Sequence, residues 1–272
     1  KILKKQIVVK VDLVQQEPSK IEMKISNKEF IRFSKQIILK KVGIKGQKKI
    51  SSAKVLIIGI GGLGCPMLLY LANSGVRNIG LVDDDRVNLS NLNRQVLFNT
   101  SDIGKFKVVQ AKKMVKKINN KIKLSIFKEK IQTKNIQNIF SKFDIICDCT
   151  DNFETRYIIN DYCLKMKKIL ISSAINKYDG HIFNFDFKKN IPCFRCFMPA
   201  IPELENKCDT DGLLPTLAGI AGTIQANEVI KSILGVKNNL IGKMVIFNVM
   251  SMKFRVVKLA KNPKCLKYCK NR

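Results

Sequence analysis

The sequence predicts an α/β fold in which a doubly wound, mostly parallel sheet is continued by antiparallel strands in the second half. Short buried strands alternate with helical segments up to about residue 175. A glycine-rich turn joins the first of these strands to a helix, and segments with alternating apolar residues follow. Alternation of strands and helices is typical of parallel sheets, and alternating apolar residues are typical of antiparallel strands.

The individual elements follow from the local pattern, in chain order. Residues 27–50 have helical spacing, "KVLIIG" is a buried strand, and "CPMLLYLANSG" is a helix that ends at Gly75. Further buried strands are predicted in "VRNIGLVDDD", "KLSIF", "DIICDCTD" and "ILISSAI". The helices between them are predicted in "DIGKFKVVQAKKMVKKIN", "TKNIQNIFSKF" and "NFETRYIINDYCLKMKK". The antiparallel strands are "GHIFNFDF", "KMVIFNVM" and "KFRVVKL", with a helical stretch before the last two.

The chain is long enough for a full core in one or two domains, with 272 residues and 46% hydrophobic residues. Residues 1–26 are lysine-rich and interrupted by Pro18, which indicates a basic arm or linker. Residues 27–272 are interpreted as one domain. Its nucleotide-binding part covers about residues 51–175, and a second part covers about residues 176–272.

The formal net charge of +29 is compatible with nucleic acid, an acidic membrane or an acidic protein partner. The basic residues are spread along the whole chain and are not gathered into one block with interleaved aromatic residues, so we do not expect nucleic acid to be the partner. No apolar run is long enough to span a bilayer, and no export signal is recognised. We therefore expect a cytoplasmic protein that does not enter a membrane.

The stretch "VLIIGIGGLGCPMLLYLANSG" indicates a phosphate site of the Rossmann-like kind. Gly59, Gly61 and Gly64 fit the pattern G-x-G-x-x-G, and Gly62 adds a fourth glycine. The missing side chains let the backbone approach a phosphate, and the N-terminus of the helix supplies N–H donors. Asp83 ends the next strand, where a carboxylate can accept a hydrogen bond from a ribose hydroxyl.

The loop after that strand favours ATP over a dinucleotide. Its polar side chains are Asp85, Asn88, Asn91, Arg94, Gln95 and Lys107. Attack on the α-phosphate of ATP places charge on the phosphate oxygens, which positioned cations stabilise. Arg94 offers a planar fork and Lys107 a compact charge. The next acidic strand end carries Asp148 and Asp151, and a carboxylate beside a triphosphate is a usual Mg²⁺ ligand.

Several motifs together resemble the ThiF/MoeB family, the bacterial relatives of ubiquitin-activating enzymes. They are "RFSKQIIL", "GIGGLG", "DDDRVNLSNLNRQ", "IGKFK", "CTDN", "PCFRC" and "GTIQANEVIK", and the resemblance covers about residues 27–269. It implies an ATP-dependent adenylyltransferase that activates the C-terminal glycine of a small ubiquitin-like sulfur carrier protein. Such carriers serve thiamine or molybdopterin synthesis. The stretch "LVDDDRV" and Cys208 favour the thiamine branch.

The resemblance also implies roles for single residues. The nucleotide would contact Gly59, Gly61, Gly62, Asp83, Asp85, Asn91, Arg94, Lys107 and Asp151. Among these, Asn91, Arg94 and Lys107 hold the triphosphate and the developing charge, and Asp151 binds Mg²⁺. The family works as homodimers in which the motif matching "RFSKQ" reaches into the site of the other subunit. Lys35 stands where the family has arginine, so it keeps the charge and loses the bidentate fork.

The cysteines divide into three groups. By the resemblance, Cys193, Cys196, Cys265 and Cys269 hold a structural Zn²⁺ in the second, carrier-binding part, although "CLKYC" is one residue longer than C-x-x-C. The resemblance also implies that Cys208 is a candidate thiol for covalent uptake of the carrier, and the alternative is an ordinary loop thiol. The remaining cysteines lie within apolar elements and are interpreted as core residues: Cys65, Cys147, Cys149 and Cys163.

Two other classes of function remain open from the sequence. One is an NAD- or FAD-binding oxidoreductase built on the same glycine turn, which would leave Asn91, Arg94 and Lys107 without a role. The other is a non-catalytic basic binding protein with a vestigial nucleotide site.

Overall fold

The strands form one mixed sheet that confirms the predicted fold class. The computed structural model describes residues 25–200, 212–237 and 240–265. The strands are β1 (Lys54–Ile58), β2 (Asn78–Val82), β3 (Lys123–Phe127), β4 (Ile145–Asp148), β5 (Ile169–Asn176), β6 (Asp179–Asp186), β7 (Lys243–Asn248) and β8 (Lys253–Lys258). Their order in the sheet is β3-β2-β1-β4-β5-β6-β7-β8. Pairing is parallel from β3 to β5 and antiparallel from β5 to β8.

The helices follow the predicted order with shifted boundaries. They are α1 (Asn27–Ile37), α2 (Gly43–Ser52), α3 (Gly64–Ser74), α4 (Lys107–Ile118), α5 (Ile136–Phe140), α6 (Phe153–Lys165), α7 (Phe194–Phe197) and α8 (Pro215–Leu234). The helical region 27–50 is broken before Gly43, whose φ is 56°. The helix predicted from residue 102 begins only at Lys107, because Gly104 has a φ of 79° that a helix cannot contain. Within the described ranges, no helix combines the length and apolar character needed to cross a bilayer.

The sheet has an apolar core on each face. One core contains buried residues of α3, α4 and α8, and the other contains buried residues of α5, α6 and α7. The cysteines predicted as core residues are all buried: Cys65, Cys147, Cys149 and Cys163. Burial raises the pKa of Cys65 to about 12 and raises those of the other three well above the usual value. The core interpretation is therefore confirmed.

Helix α8 joins the second part of the chain to the first. It packs against α3, β5 and β6. A Cβ added at Gly222 would lie 2.3 Å from the carbonyl oxygen of Leu63, so only glycine allows this distance between α8 and the start of α3. Farther along α8, the buried Glu228 accepts hydrogen bonds from Asn184 and from the backbone N–H of Leu240, at 3.1 and 3.0 Å. The α8 helix thus supports the region where the glycine turn enters α3.

The contact at Gly222 generates a prediction with a control in the same helix. Gly222→Ala should lower the free energy of unfolding by about 1–3 kcal/mol, because the methyl group would force α8 away from Leu63. Gly219→Ala meets nothing within 4 Å and should raise stability by about 0.5–1 kcal/mol, the usual gain of alanine over glycine in a helix. Urea denaturation measures both. Equal effects of the two substitutions would contradict the packing described here.

Candidate active site

A crevice opens at the carboxyl ends of β1 and β4. These two strands are parallel neighbours, and the chain leaves them toward opposite faces of the sheet, to α3 after β1 and to α6 after β4. Such a switch point is where open α/β sheets bind their ligands. The structure thus places the glycine turn and the acidic end of β4 at one edge of the sheet, as the sequence predicts.

The glycine turn is held by contacts that exclude side chains. Gly59 has a φ of 88°, and a Cβ there would lie 2.7 Å from the carbonyl oxygen of Cys149, in the turn after β4. A Cβ on Gly64 would lie 2.0 Å from the carbonyl oxygen of Gly59. These distances explain two glycines of the pattern by sterics alone. With the turn in this conformation, the N-terminus of α3 and its N–H donors face the crevice.

Asp83 braces the glycine turn from the end of β2. One carboxylate oxygen accepts the backbone N–H of Ile60 at 2.6 Å, and the other accepts that of Asp85 at 2.8 Å. Burial raises the pKa of Asp83, and the nearby Lys107 ammonium opposes this rise. Asp83 therefore lies at the crevice, as the predicted ribose contact requires, and it also has a structural role that the sequence did not reveal.

Lys107 and Asp85 form an ion pair that the sequence analysis missed. The ammonium of Lys107 donates to a carboxylate oxygen of Asp85 at 2.8 Å. The lysine side chain is 7% exposed, whereas that of the aspartate is 63% exposed. The pair therefore fixes the position of the Lys107 ammonium.

Arg94 lies against the glycine turn. A Cβ built on Gly62 would be 3.4 Å from the Cγ of Arg94, so the stem of this side chain covers the glycine. Its Nη1 donates to the carbonyl of Ser90 at 3.0 Å and to the side chain of Asn93 at 3.1 Å. The carbonyl of Asn91 accepts the N–H of Arg94 and so closes this turn. The stem of Arg94 is thereby held against Gly62, with its guanidinium bound to Ser90 and Asn93.

The two carboxylates near the end of β4 differ in exposure. Asp148 is fully buried and each of its oxygens accepts two hydrogen bonds, which excludes it as a Mg²⁺ ligand. Asp151 is exposed, three residues farther along. Asn152 caps α6 by accepting the N–H of Thr155 at 2.9 Å. Of the acids that the sequence placed here, Asp151 is the one available to a cation.

Lys35 lies away from the other predicted site residues. On α1, Phe33 packs on Gly75, and Gln36 donates to the carbonyl of Ser74 at 2.8 Å. Arg32, on the same helix, donates to the carbonyl of Ile118. These partners lie at the carboxyl ends of α3 and α4, at the opposite edge of the sheet from the crevice. The structure therefore does not bring Lys35 to the nucleotide site of its own chain.

Three of the four predicted zinc ligands meet in a buried cluster. The sulfur of Cys193 lies 3.9 Å from that of Cys196 and 3.5 Å from that of Cys265. A tetrahedral zinc site with Zn–S bonds of about 2.3 Å has sulfurs about 3.8 Å apart, so the cluster fits this metal. Burial raises the pKa of Cys196, but hydrogen bonds with the backbone of Asn262 and with its neighbours lower it overall. Cys269 and Cys208 lie outside the described residues.

Helix α8 contributes residues for which the sequence analysis assigned no role. A Cβ on Gly62 would lie 3.0 Å from that of Ala218, so α8 borders the glycine turn. Gln225 donates to the carbonyl of Asp148 at 3.0 Å and thus reaches the end of β4. The available signal was an amide among small and apolar residues, Gln225 in the motif "GTIQANEVIK".

Comparisons with known proteins identify relatives of this chain. The model of the ThiF family matches residues 33–267. The chain is 40% identical over 238 residues to "Adenylyltransferase and sulfurtransferase MOCS3" of Culex quinquefasciatus, covering 87% of this chain and 54% of that protein. It is 42% identical over 238 residues to "Probable molybdopterin-synthase adenylyltransferase" of Porphyra purpurea. This match covers 86% of this chain and 62% of that protein. The chain thus spans a little over half the length of these relatives.

A solved structure shares the architecture. The crystal structure of E. coli MccB with AMPCPP and SeMet MccA superposes with a TM-score of 0.72 at 25% sequence identity. The match covers 83% of this chain and 69% of that one.

Proposed function

Since this chain belongs to the ThiF family, we propose that it is an ATP-dependent adenylyltransferase that activates the C-terminal glycine of a small ubiquitin-like sulfur carrier protein. The observation that carries the proposal is the crevice in which the glycine turn, Arg94, Lys107 and the Asp151 turn meet. The names of the relatives support adenylyl transfer. We do not propose the sulfur transfer that the name of the Culex relative includes, because this chain spans only 54% of that protein.

The reaction assigns a task to each part of the crevice. A carboxylate oxygen of the carrier attacks the α-phosphorus of ATP, and the bond from this phosphorus to pyrophosphate breaks. Charge grows on the phosphate oxygens, where Arg94 and Lys107 stabilise it. Asp83 would accept a hydrogen bond from the ribose, and Asp151 would hold a Mg²⁺ that offsets the charge of the pyrophosphate. The compared MccB structure contains AMPCPP, which is consistent with a triphosphate in this crevice.

The identity of the carrier follows from the relatives rather than from the site. The Porphyra relative is named for molybdopterin synthase. We therefore assign the carrier to the molybdopterin branch and give up the thiamine branch that "LVDDDRV" and Cys208 favoured. A cytoplasmic location, where ATP and reduced thiols are maintained, is part of the proposal.

Cys208 is the proposed acceptor if the carrier is passed on to a thiol of this chain. Every cysteine in the described part of the chain is buried: Cys65, Cys147, Cys149, Cys163, Cys193, Cys196 and Cys265. A protein-sized substrate needs an accessible thiol, which these positions do not provide.

A homodimer would explain how Lys35 reaches a nucleotide site. The residue is exposed on α1, at the opposite edge of the sheet from its own crevice. Large apolar side chains are also exposed on α1 and in the turn after it, namely Phe30, Ile31, Ile38 and Leu39. A second copy packed on this surface would bury these side chains. Lys35 of one copy would then lie at the crevice of the other copy.

Removing the guanidinium at the glycine turn tests the chemistry. Arg94→Ala should reduce the carrier-dependent exchange of pyrophosphate into ATP by on the order of 100-fold, because Arg94 stabilises charge that develops as the α-phosphate is attacked. Arg86→Ala is the control on the same loop, since Arg86 stacks on the Phe106 ring at 4.1 Å. Near-parental exchange by Arg94→Ala would show that the loop has another role.

Complementation tests the dimer. Lys35→Ala and Arg94→Ala should each be nearly inactive alone. A purified mixed dimer of the two should recover about half of the parental exchange rate, because one of its two crevices combines an intact Lys35 with an intact Arg94. Activity in Lys35→Ala alone, or no recovery in the mixed dimer, would remove Lys35 from the site.

Elemental analysis tests the zinc site. The purified protein should contain about one Zn²⁺ per chain, and Cys196→Ser and Cys265→Ser should each lose it, because four thiolates bind as one unit. Cys163→Ala changes a buried cysteine outside the cluster and should keep the metal. Removal of zinc by a chelator should lower the melting temperature. Parental protein without zinc, or full zinc content in Cys265→Ser, would overturn the site.

A further inference from the structure

A fully buried carboxylate lies directly beneath the turn that carries Asp151. Asp148 is the last residue of β4 and is 0% exposed. One of its oxygens accepts the N–H of Thr150 at 3.0 Å and the hydroxyl of the same residue at 2.6 Å. The other oxygen accepts Nε of Arg156 at 3.1 Å and the hydroxyl of Ser172 at 2.6 Å. All of its acceptor capacity is therefore used within the protein.

Arg156 holds the same turn from the other side. Its side chain, on α6, is 6% exposed. While Nε pairs with Asp148, Nη2 donates to the carbonyl of Thr150 at 2.8 Å and to that of Ser173 at 3.0 Å. The guanidinium thus joins the turn to β5 as well as to the end of β4.

Thr150 is consequently fixed at three points. Its N–H and hydroxyl bind Asp148, and its carbonyl binds Arg156. The next residue is Asp151, which is exposed, and α6 begins two residues later behind the Asn152 cap. The backbone on both sides of Asp151 is therefore held, although its carboxylate faces solvent.

We propose that Arg156 and Asp148 are positioning residues that hold the Asp151 carboxylate in the direction needed to bind Mg²⁺ with ATP. This inference rests on the proposed function. A buried ion pair has a high desolvation cost and is weak evidence for a purely stabilising role. Groups that fix the orientation of a metal-binding carboxylate commonly change metal affinity when removed.

Removing one of two hydroxyl groups distinguishes a role in positioning Asp151 from a role in the stability of the fold. Thr150→Val and Ser172→Ala each remove a hydroxyl that donates to Asp148 at 2.6 Å. Thr150 belongs to the Asp151 turn, whereas Ser172 lies on β5. Both substitutions should lower the melting temperature. Only Thr150→Val should raise the Mg²⁺ concentration that gives half-maximal ATP binding, by about 10-fold.

Arg156→Lys tests the arginine itself. Lysine keeps the charge next to Asp148 but cannot also reach the carbonyls of Thr150 and Ser173 as a planar fork does. This variant should shift the Mg²⁺ dependence in the same direction as Thr150→Val. For both variants, saturating Mg²⁺ should restore the rate of pyrophosphate exchange, because positioning affects the KM for Mg²⁺ and leaves kcat nearly unchanged. Partial unfolding would lower activity at every Mg²⁺ concentration.

The measurement is calorimetric titration of the full chain with ATP at stepped Mg²⁺ concentrations, with Asp151→Asn as the reference for loss of the ligand. Equal shifts in Thr150→Val and Ser172→Ala, or no shift in Thr150→Val and Arg156→Lys, would overturn the inference while leaving the proposed function intact. A parental protein that binds no ATP, or an Asp151→Asn variant with parental Mg²⁺ dependence, would instead overturn the assignment of the crevice, and this inference with it.

Discussion

The close approach of Gly59 to the carbonyl of Cys149 is the contact on which the rest of the site depends. β1 and β4 are parallel neighbours, so the turns after them leave the sheet side by side and meet at this contact. One turn leads to α3 and the other to α6, on opposite faces of the sheet. The N-terminal end of α3 and the exposed Asp151 therefore border the same crevice. A side chain at Gly59 would push these two turns apart.

The second part of the chain supports the contact between Gly59 and Cys149 through helix α8. α8 approaches the start of α3 through Gly222 and reaches the end of β4 through Gln225. The antiparallel strands continue the same sheet that carries the nucleotide turn, and the cysteine cluster joins α7 to residues near Cys265. The crevice is thus built by the first part of the chain and supported by residues more than sixty positions away, as Gln225 and Asp148 show.

The sequence predicts local features of this site well and long-range ones poorly. The glycine turn, the strand ends and the paired cysteines follow from spacing that a reader can see in a short window. The stretch "CDCTDN" cannot reveal which acid is buried, because Asp148 pairs with Arg156 on the next helix and accepts a hydrogen bond from Ser172 on the next strand. Helical spacing in residues 27–50 likewise gives no indication that Lys35 lies at the far edge of the sheet. Such placements depend on tertiary contacts.

Equilibrium binding of AMP, ADP and ATP in the presence of Mg²⁺, with NAD as competitor, tests most directly the claim that this crevice is built for a triphosphate. Arg94 and Asp151 lie on turns that border the glycine turn, and Lys107, at the start of α4, pairs with Asp85 next to Asp83. The affinity should therefore rise with each added phosphate, and NAD should not displace ATP. Equal affinity for AMP and ATP, or displacement of ATP by NAD at similar concentrations, would contradict the account.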